Sequence, residues 1–98
     1  MQIFEIPIKP VPSQKLSVML GAQNTTIELA WKNNRLYATV SIGPIDVVCS
    51  RLCLNREPIV REQYRGFVGE LYFDDQQGSQ EPDFVGLGSR YKLFWVTK

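Results

Sequence analysis

The chain has 98 residues, 44% of them hydrophobic, and a formal net charge of +1. That length predicts one domain, 1–98, burying roughly two thirds of its unfolded surface, and the near-zero charge gives no electrostatic case for nucleic acid or an anionic membrane. No apolar run approaches the roughly 20 residues of a membrane helix, and the start Met1-Gln2-Ile3-Phe4-Glu5 lacks the basic region and small-residue cleavage site of a signal peptide, so folding in a cytoplasm is expected.

The apolar period is two almost throughout, which argues for strands. Gln2 to Ile8 reads as the first, with Phe4, Ile6 and Ile8 on one face and Ile3, Glu5 and Pro7 on the other. Pro7 has no N–H to give a ladder, so this strand belongs at an edge or ends there. Pro10 to Ser13 breaks the chain. Lys15 to Leu20 aligns Leu16, Val18 and Leu20, and Gly21 to Asn24 reads as a hairpin turn. Thr25 to Lys32 aligns Ile27, Leu29 and Trp31. Asn33 and Asn34 suit the positive φ of a two-residue hairpin loop, and Arg35 to Ile42 returns with Leu36, Ala38, Val40 and Ile42 inward. These two hairpins form a meander.

Gly43-Pro44 punctuates. Ile45 to Leu54 is a further strand, with Val47, Cys49 and Arg51 on one face and Val48, Ser50 and Leu52 on the other. Arg56 to Arg65 reads either as a loop around Pro58 or as one short helical turn. Phe67 to Phe73 is a strand with Phe67, Leu71 and Phe73 sharing a face about Gly69. Asp74 to Asp83 carries no apolar residue and reads as a solvated loop. Gly86-Leu87-Gly88 turns the chain into a last strand, where Tyr91, Leu93 and Trp95 alternate with Lys92, Phe94 and Val96. Both faces carry large apolar groups, so this strand needs cover on both sides. The first set is assigned to the core, and Phe94 and Val96 to a contact. Seven short strands predict an all-β fold, a small antiparallel barrel or sandwich.

The catalytic inventory is thin. With no histidine there is no Ser-His-Asp, Cys-His or Cys/His zinc arrangement. Cys49 and Cys53, on one strand, would stand about 13 Å apart, too far for a disulfide, and are read as two buried thiols. Asp74, Asp75, Glu81 and Asp83 are read as solvated loop acids. Calcium or a sugar is the alternative there, although the EF-hand spacing is missing. Gly86-Leu87-Gly88-Ser89 leads into a strand, not a helix, and so reads as a turn rather than a phosphate loop. No cofactor, metal or catalytic residue is assigned, and the chain is not expected to be an enzyme.

The aromatic residues Trp31, Tyr37, Tyr64, Tyr72, Tyr91, Phe94 and Trp95 exceed what so small a core holds centrally. Arg51, Arg56, Arg61 and Arg65 stand near Tyr64 and Phe67. Such a set serves protein interfaces, a solvated face, or single-stranded nucleic acid. Open strand edges are expected at Gln2 to Ile8 and at the C-terminal strand, where a partner can complete the backbone pairing. Partner contact is assigned to Phe4, Arg56, Arg61, Tyr64, Arg65, Phe94 and Val96.

The order of features also carries a family resemblance. Ile6-Pro7-Ile8 is followed by Pro12 to Val18, then by the hairpin of Thr26 to Trp31 against Leu36 to Val40. Tyr64 to Leu71 precedes an acidic loop, and Gly86-Leu87-Gly88 leads into Tyr91 to Val96. From about Ile6 to Val96 this resembles the small baseplate plug family of contractile-tailed bacteriophages. Cys49, Cys53 and the Arg56 to Arg65 stretch depart from its pattern. The resemblance implies a structural protein of the virion tail baseplate, assembled in the host cytoplasm and present in several copies. Its partners would be hub, spike, tube or sheath-initiating proteins, with no membrane or nucleic acid. The alternative function is an OB-like module that binds single-stranded nucleic acid.

Overall fold

A computed structural model of the chain describes residues 2–21, 23–60 and 69–97. The described residues form seven strands: β1 (Gln2–Ile6), β2 (Ser13–Leu20), β3 (Gln23–Lys32), β4 (Arg35–Ile42), β5 (Ile45–Leu52), β6 (Glu70–Asp75) and β7 (Tyr91–Thr97). Strands β2-β3-β4-β5 make one antiparallel sheet in chain order, and β1-β7-β6 make a second. Residues of both sheets enter one core cluster. The architecture is therefore a two-layer β-sandwich, not a closed barrel.

The meander forms as its turn residues dictate. Asn33 and Asn34 have φ of 53° and 59°, and Lys32 pairs with Arg35 across them. Both central residues of a type I′ loop need positive φ, which asparagine tolerates better than other side chains. Ile27, Leu29, Leu36, Ala38 and Val40 are buried on the inner face. The outer face carries Lys15, Thr26, Glu28, Thr39 and Ser41, which line a polar groove of about 310 Å³.

Strand β5 breaks the expected alternation. Its register against β4 shifts twice, between Ala38 and Val40 and between Val40 and Ser41. Two extra residues are thus accommodated on β5 as bulges. Val47 and Val48 are both buried as a result, and Cys49 and Ser50 are both exposed. Ser50 has φ of 47°, and its N–H donates to Thr39 Oγ1 at 3.0 Å. The expectation of two buried cysteines is corrected: Cys53 is buried, Cys49 is on the surface, and both are free thiols.

As far as Val60 the stretch after β5 is a loop around Pro58 rather than a helical turn, which is one of the two expected readings. It is a strap that ties the two sheets together. Cys53 N–H donates to Leu36 O at 2.9 Å, Arg56 N–H to Phe73 O at 2.7 Å and Ile59 N–H to Leu71 O at 2.8 Å. Ile59 and Val60 are buried in the core. Arg61 to Val68 lie outside the described residues, and with them the expected Phe67 start of a strand. The observed β6 begins at Glu70 and turns Leu71, Phe73 and Asp75 inward. Gly69 precedes it with φ of 89°, and a Cβ there would stand 2.5 Å from Val96 O and 2.6 Å from Trp95 Nε1. Only glycine fits that approach.

Strand β7 lies between β1 and β6. The expected free edge on the C-terminal strand is therefore corrected, since both its edges are paired. Tyr91, Leu93 and Trp95 face the core, at 4%, 0% and 6% exposure, as expected from their alternation. Strand β1 is an edge strand and ends at Ile6, just before Pro7.

Candidate protein interface

Cross-strand partners share a sheet face, so the register fixes what the second apolar face of β7 meets. Ile3 pairs with Val96 and Glu5 with Phe94 on one side, and Val96 pairs with Glu70, Phe94 with Tyr72 and Lys92 with Asp74 on the other. Phe94 and Tyr72 stack with ring centroids 5.6 Å apart at 29°. Ile3 is 54% exposed. A strip of Ile3, Val96, Phe94 and Tyr72 thus crosses the outer face of the three-stranded sheet.

Ion pairs frame the strip. Lys92 Nζ lies 3.5 Å from Glu5 Oε1, and Arg56 Nε lies 2.6 Å from Asp74 Oδ1. Asp74 Oδ2 also accepts from Gln76 Nε2 at 3.0 Å. Exposed pairs of this kind contribute about 0–1 kcal/mol each; they orient the rim more than they stabilise the fold. Tyr72 has its hydroxyl pKa raised by burial and by the nearby Asp74 charge, so it stays a neutral donor at physiological pH.

The assigned contact residues separate into groups. Phe94 and Val96 lie together on the strip, and Arg56 stands at its rim. Phe4 is on the opposite face of β1, paired with Trp95 and stacked on its ring at 5.6 Å. There it lines a groove of about 560 Å³ between β1 and β2, with Ile6, Val18, Met19, Leu20 and Trp95. Arg61, Tyr64 and Arg65 lie outside the described residues.

The acidic stretch is not uniformly a solvated loop, which corrects that expectation. Asp74 and Asp75 are the last two residues of β6, and Asp75 is 2% exposed. Its Oδ1 accepts from Arg90 Nε at 2.8 Å and Gln77 N at 2.9 Å. Its Oδ2 accepts from Arg90 Nη2 and Gln80 N, each at 2.9 Å. The Arg90 hydrogen bonds, helped by the two backbone N–H groups and opposed by burial, hold this carboxyl well below the usual range. With both oxygens engaged, Asp75 has little left to offer a cation. Among the described residues no group of three or more His, Cys, Asp or Glu is placed to hold a metal.

The second thiol is equally quiet chemically. Burial pushes Cys53 up to about 12, so almost no thiolate forms near neutral pH. Sequence reading overlooked Asp75, Arg90, Ile3, Met19 and the buried pair Ile59 and Val60. A usable signal existed for Asp75: extending the Leu71, Phe73 alternation by one step places it inward.

The fold and its surface thus define a small β-sandwich whose described polar clusters are internally satisfied and whose distinctive exposed features are apolar. Comparison with known families agrees with a structural role. The chain belongs to the family described as the cyanophage baseplate Pam3 plug gp18, whose model matches residues 3–98. The earlier resemblance to a phage baseplate plug family is thereby confirmed. No curated protein matches the sequence. The protein is a structural component of the virion tail baseplate, and its partners are other phage tail and baseplate proteins.

Proposed function

We propose that this chain acts as a non-enzymatic, single-domain linker in a contractile tail, joining the central hub and spike to the surrounding tail proteins. It does so in several copies, after folding in the host cytoplasm. The observation that carries this reading is the strip of Ile3, Val96, Phe94 and Tyr72 on the outer face of β1-β7-β6. The opposite sheet turns a polar face outward, so the apolar strip is not a general property of the surface. Phe94 and Val96 are its contact residues, with Arg56 at its rim.

Size argues for more than one neighbour. Three strands about 4.8 Å apart and five residues long span roughly 240 Å². A stable interface takes about 800 Å² from each partner. The strip is therefore one contact among several, which suits a linking part.

The test is the variant Ile3→Asp in phage, read as its incorporation into purified tails. Ile3 is exposed, so the variant folds. Loss of incorporation by tenfold or more is expected. Normal incorporation of a folded Ile3→Asp chain overturns the outer face as the contact.

A further inference from the structure

Among the described residues the sandwich has two lateral seams, one of them closed. Along the first, β5 is bulged and β6 is covered by the strap after β5. There Ile59 sends its side chain into the core while its N–H donates to Leu71 O at 2.8 Å. Val60 N–H donates to Glu70 Oε2 at 2.8 Å. Along the second seam run β1 and β2, each at the edge of its sheet with one strand neighbour among the described residues. Their link is held at its base by Gln14, whose Oε1 accepts from Lys9 N at 3.0 Å and whose Nε2 donates to Lys9 O at 2.6 Å. Above that base lies the groove of about 560 Å³ floored by Trp95.

From this asymmetry we infer that the β1/β2 groove seats an extended strand from a neighbouring baseplate protein, about five residues long and apolar at alternate positions. The inference rests on the structural baseplate role proposed above.

Backbone chemistry selects a strand. A strand offers N–H and C=O groups on both sides, and among the described residues β1 and β2 each have one side without a strand partner. A docking helix satisfies its own backbone and would leave those groups unpaired, and a lipid tail has nothing to pair with them. An added strand supplies the missing donors and acceptors and drops alternate side chains towards the floor. The strap at the opposite seam is the same solution made within the chain. Five residues of β1 at about 3.4 Å each give the length.

The lining selects the composition. Glu5 is the one charged residue among those lining the groove, and its carboxylate is paired with Lys92 on the outer face, so the groove itself offers apolar surface. Phe4, at 46% exposure, and Met19, at 66%, flank the floor as apolar surface. Met19 is unbranched and polarisable and adapts to an incoming side chain.

The test uses phage carrying Met19→Asp beside the Ile3→Asp phage, with amide hydrogen exchange on the wild-type chain, free and in purified tails. The expected results are tenfold or greater loss of incorporation for Met19→Asp with an unchanged melting temperature. Alternate amides of residues 2–6 or 13–20 should slow at least tenfold in tails. Normal incorporation of a folded Met19→Asp chain overturns the groove inference whatever Ile3→Asp does, and leaves the linker reading standing. Should Met19→Asp lower the melting temperature, the exchange measurement decides: unchanged exchange along both edges in tails overturns the inference. Protection of those edges in the free chain that grows with protein concentration also overturns it, since the occupant is then a second copy of this chain.

Discussion

Arg90 grips the buried carboxylate of Asp75 with two hydrogen bonds, 2.8 Å from Nε and 2.9 Å from Nη2. Gln77 and Gln80 complete the carboxylate from the following turn. The chain leaving β6 is thereby fastened to the residue just before β7. The acidic turn is thus part of the framework that positions both strands of the outer face.

That arrangement fixes a pH response. The folded carboxyl titrates well below its unfolded value of about 3.9. Unfolding therefore takes up a proton as the pH falls below about 5. The stability from Asp75 is complete above that range and drains away as the pH drops towards the folded value. Asp75→Asn should unfold at lower urea than wild type at pH 7, with the gap narrowing steadily to pH 2. A gap that is constant with pH would contradict this account.

The two thiols should differ sharply. Cys49 is exposed, whereas Cys53 is buried with its pKa pushed up to about 12. A maleimide or disulfide reagent at pH 7.5 should label one thiol per folded chain and two in denaturant. Peptide mapping should place the first label on Cys49. Prompt labelling of both in the native chain would contradict the burial of Cys53.

Trp95 and Phe94 are neighbours in sequence with different duties. Trp95 is 6% exposed and packs against Phe4, so Trp95→Ala should cost about 3–5 kcal/mol of stability, read from urea unfolding. An assembly defect in that variant reports folding. Phe94 stacks on Tyr72 at the surface, and Phe94→Ala should weaken tail incorporation at a smaller stability loss. Equal destabilisation by the two would remove the distinction between core and contact faces.

Single-stranded DNA should not be bound. Arg56 and Arg90 are each engaged by a carboxylate, and the net charge is +1. A gel-shift titration should show no salt-sensitive complex tighter than about micromolar. Such a complex would revive the nucleic-acid alternative, because phosphate contacts make affinity steeply dependent on salt.

Legibility followed how local each determinant is. Asn33 and Asn34 state their own turn, and the alternation on either side sets which face is buried, so the meander is readable residue by residue. Strand β5 misleads because a bulge leaves the composition looking regular while it reverses the faces, so Cys49 reads as buried and lies on the surface. Asp75 reads as a loop acid because its partner Arg90 is distant in sequence and no local pattern announces the pair. The edges of β7 are illegible for the same reason: pairing of Gln2 with Thr97 is a long-range fact. The core face of β7 fared better, since Tyr91, Leu93 and Trp95 alternate strictly with Lys92, Phe94 and Val96 and are buried.

That long-range pairing has a kinetic consequence. Hairpins of the β2-to-β5 sheet close over two-residue loops, whereas β1 meets β7 only after nearly the whole chain has been drawn together. Closing large loops is entropically costly and slows folding. The four-stranded sheet is thus expected to acquire amide protection first in a refolding experiment pulsed with deuterium, and the β1-β7-β6 sheet last. Earlier protection of β1 and β7 would refute that order. Both surfaces proposed for contact, the outer strip and the seam groove, depend on the late-forming sheet. A half-folded chain would therefore have nothing to adhere with, and recruitment into the tail would wait for chain closure.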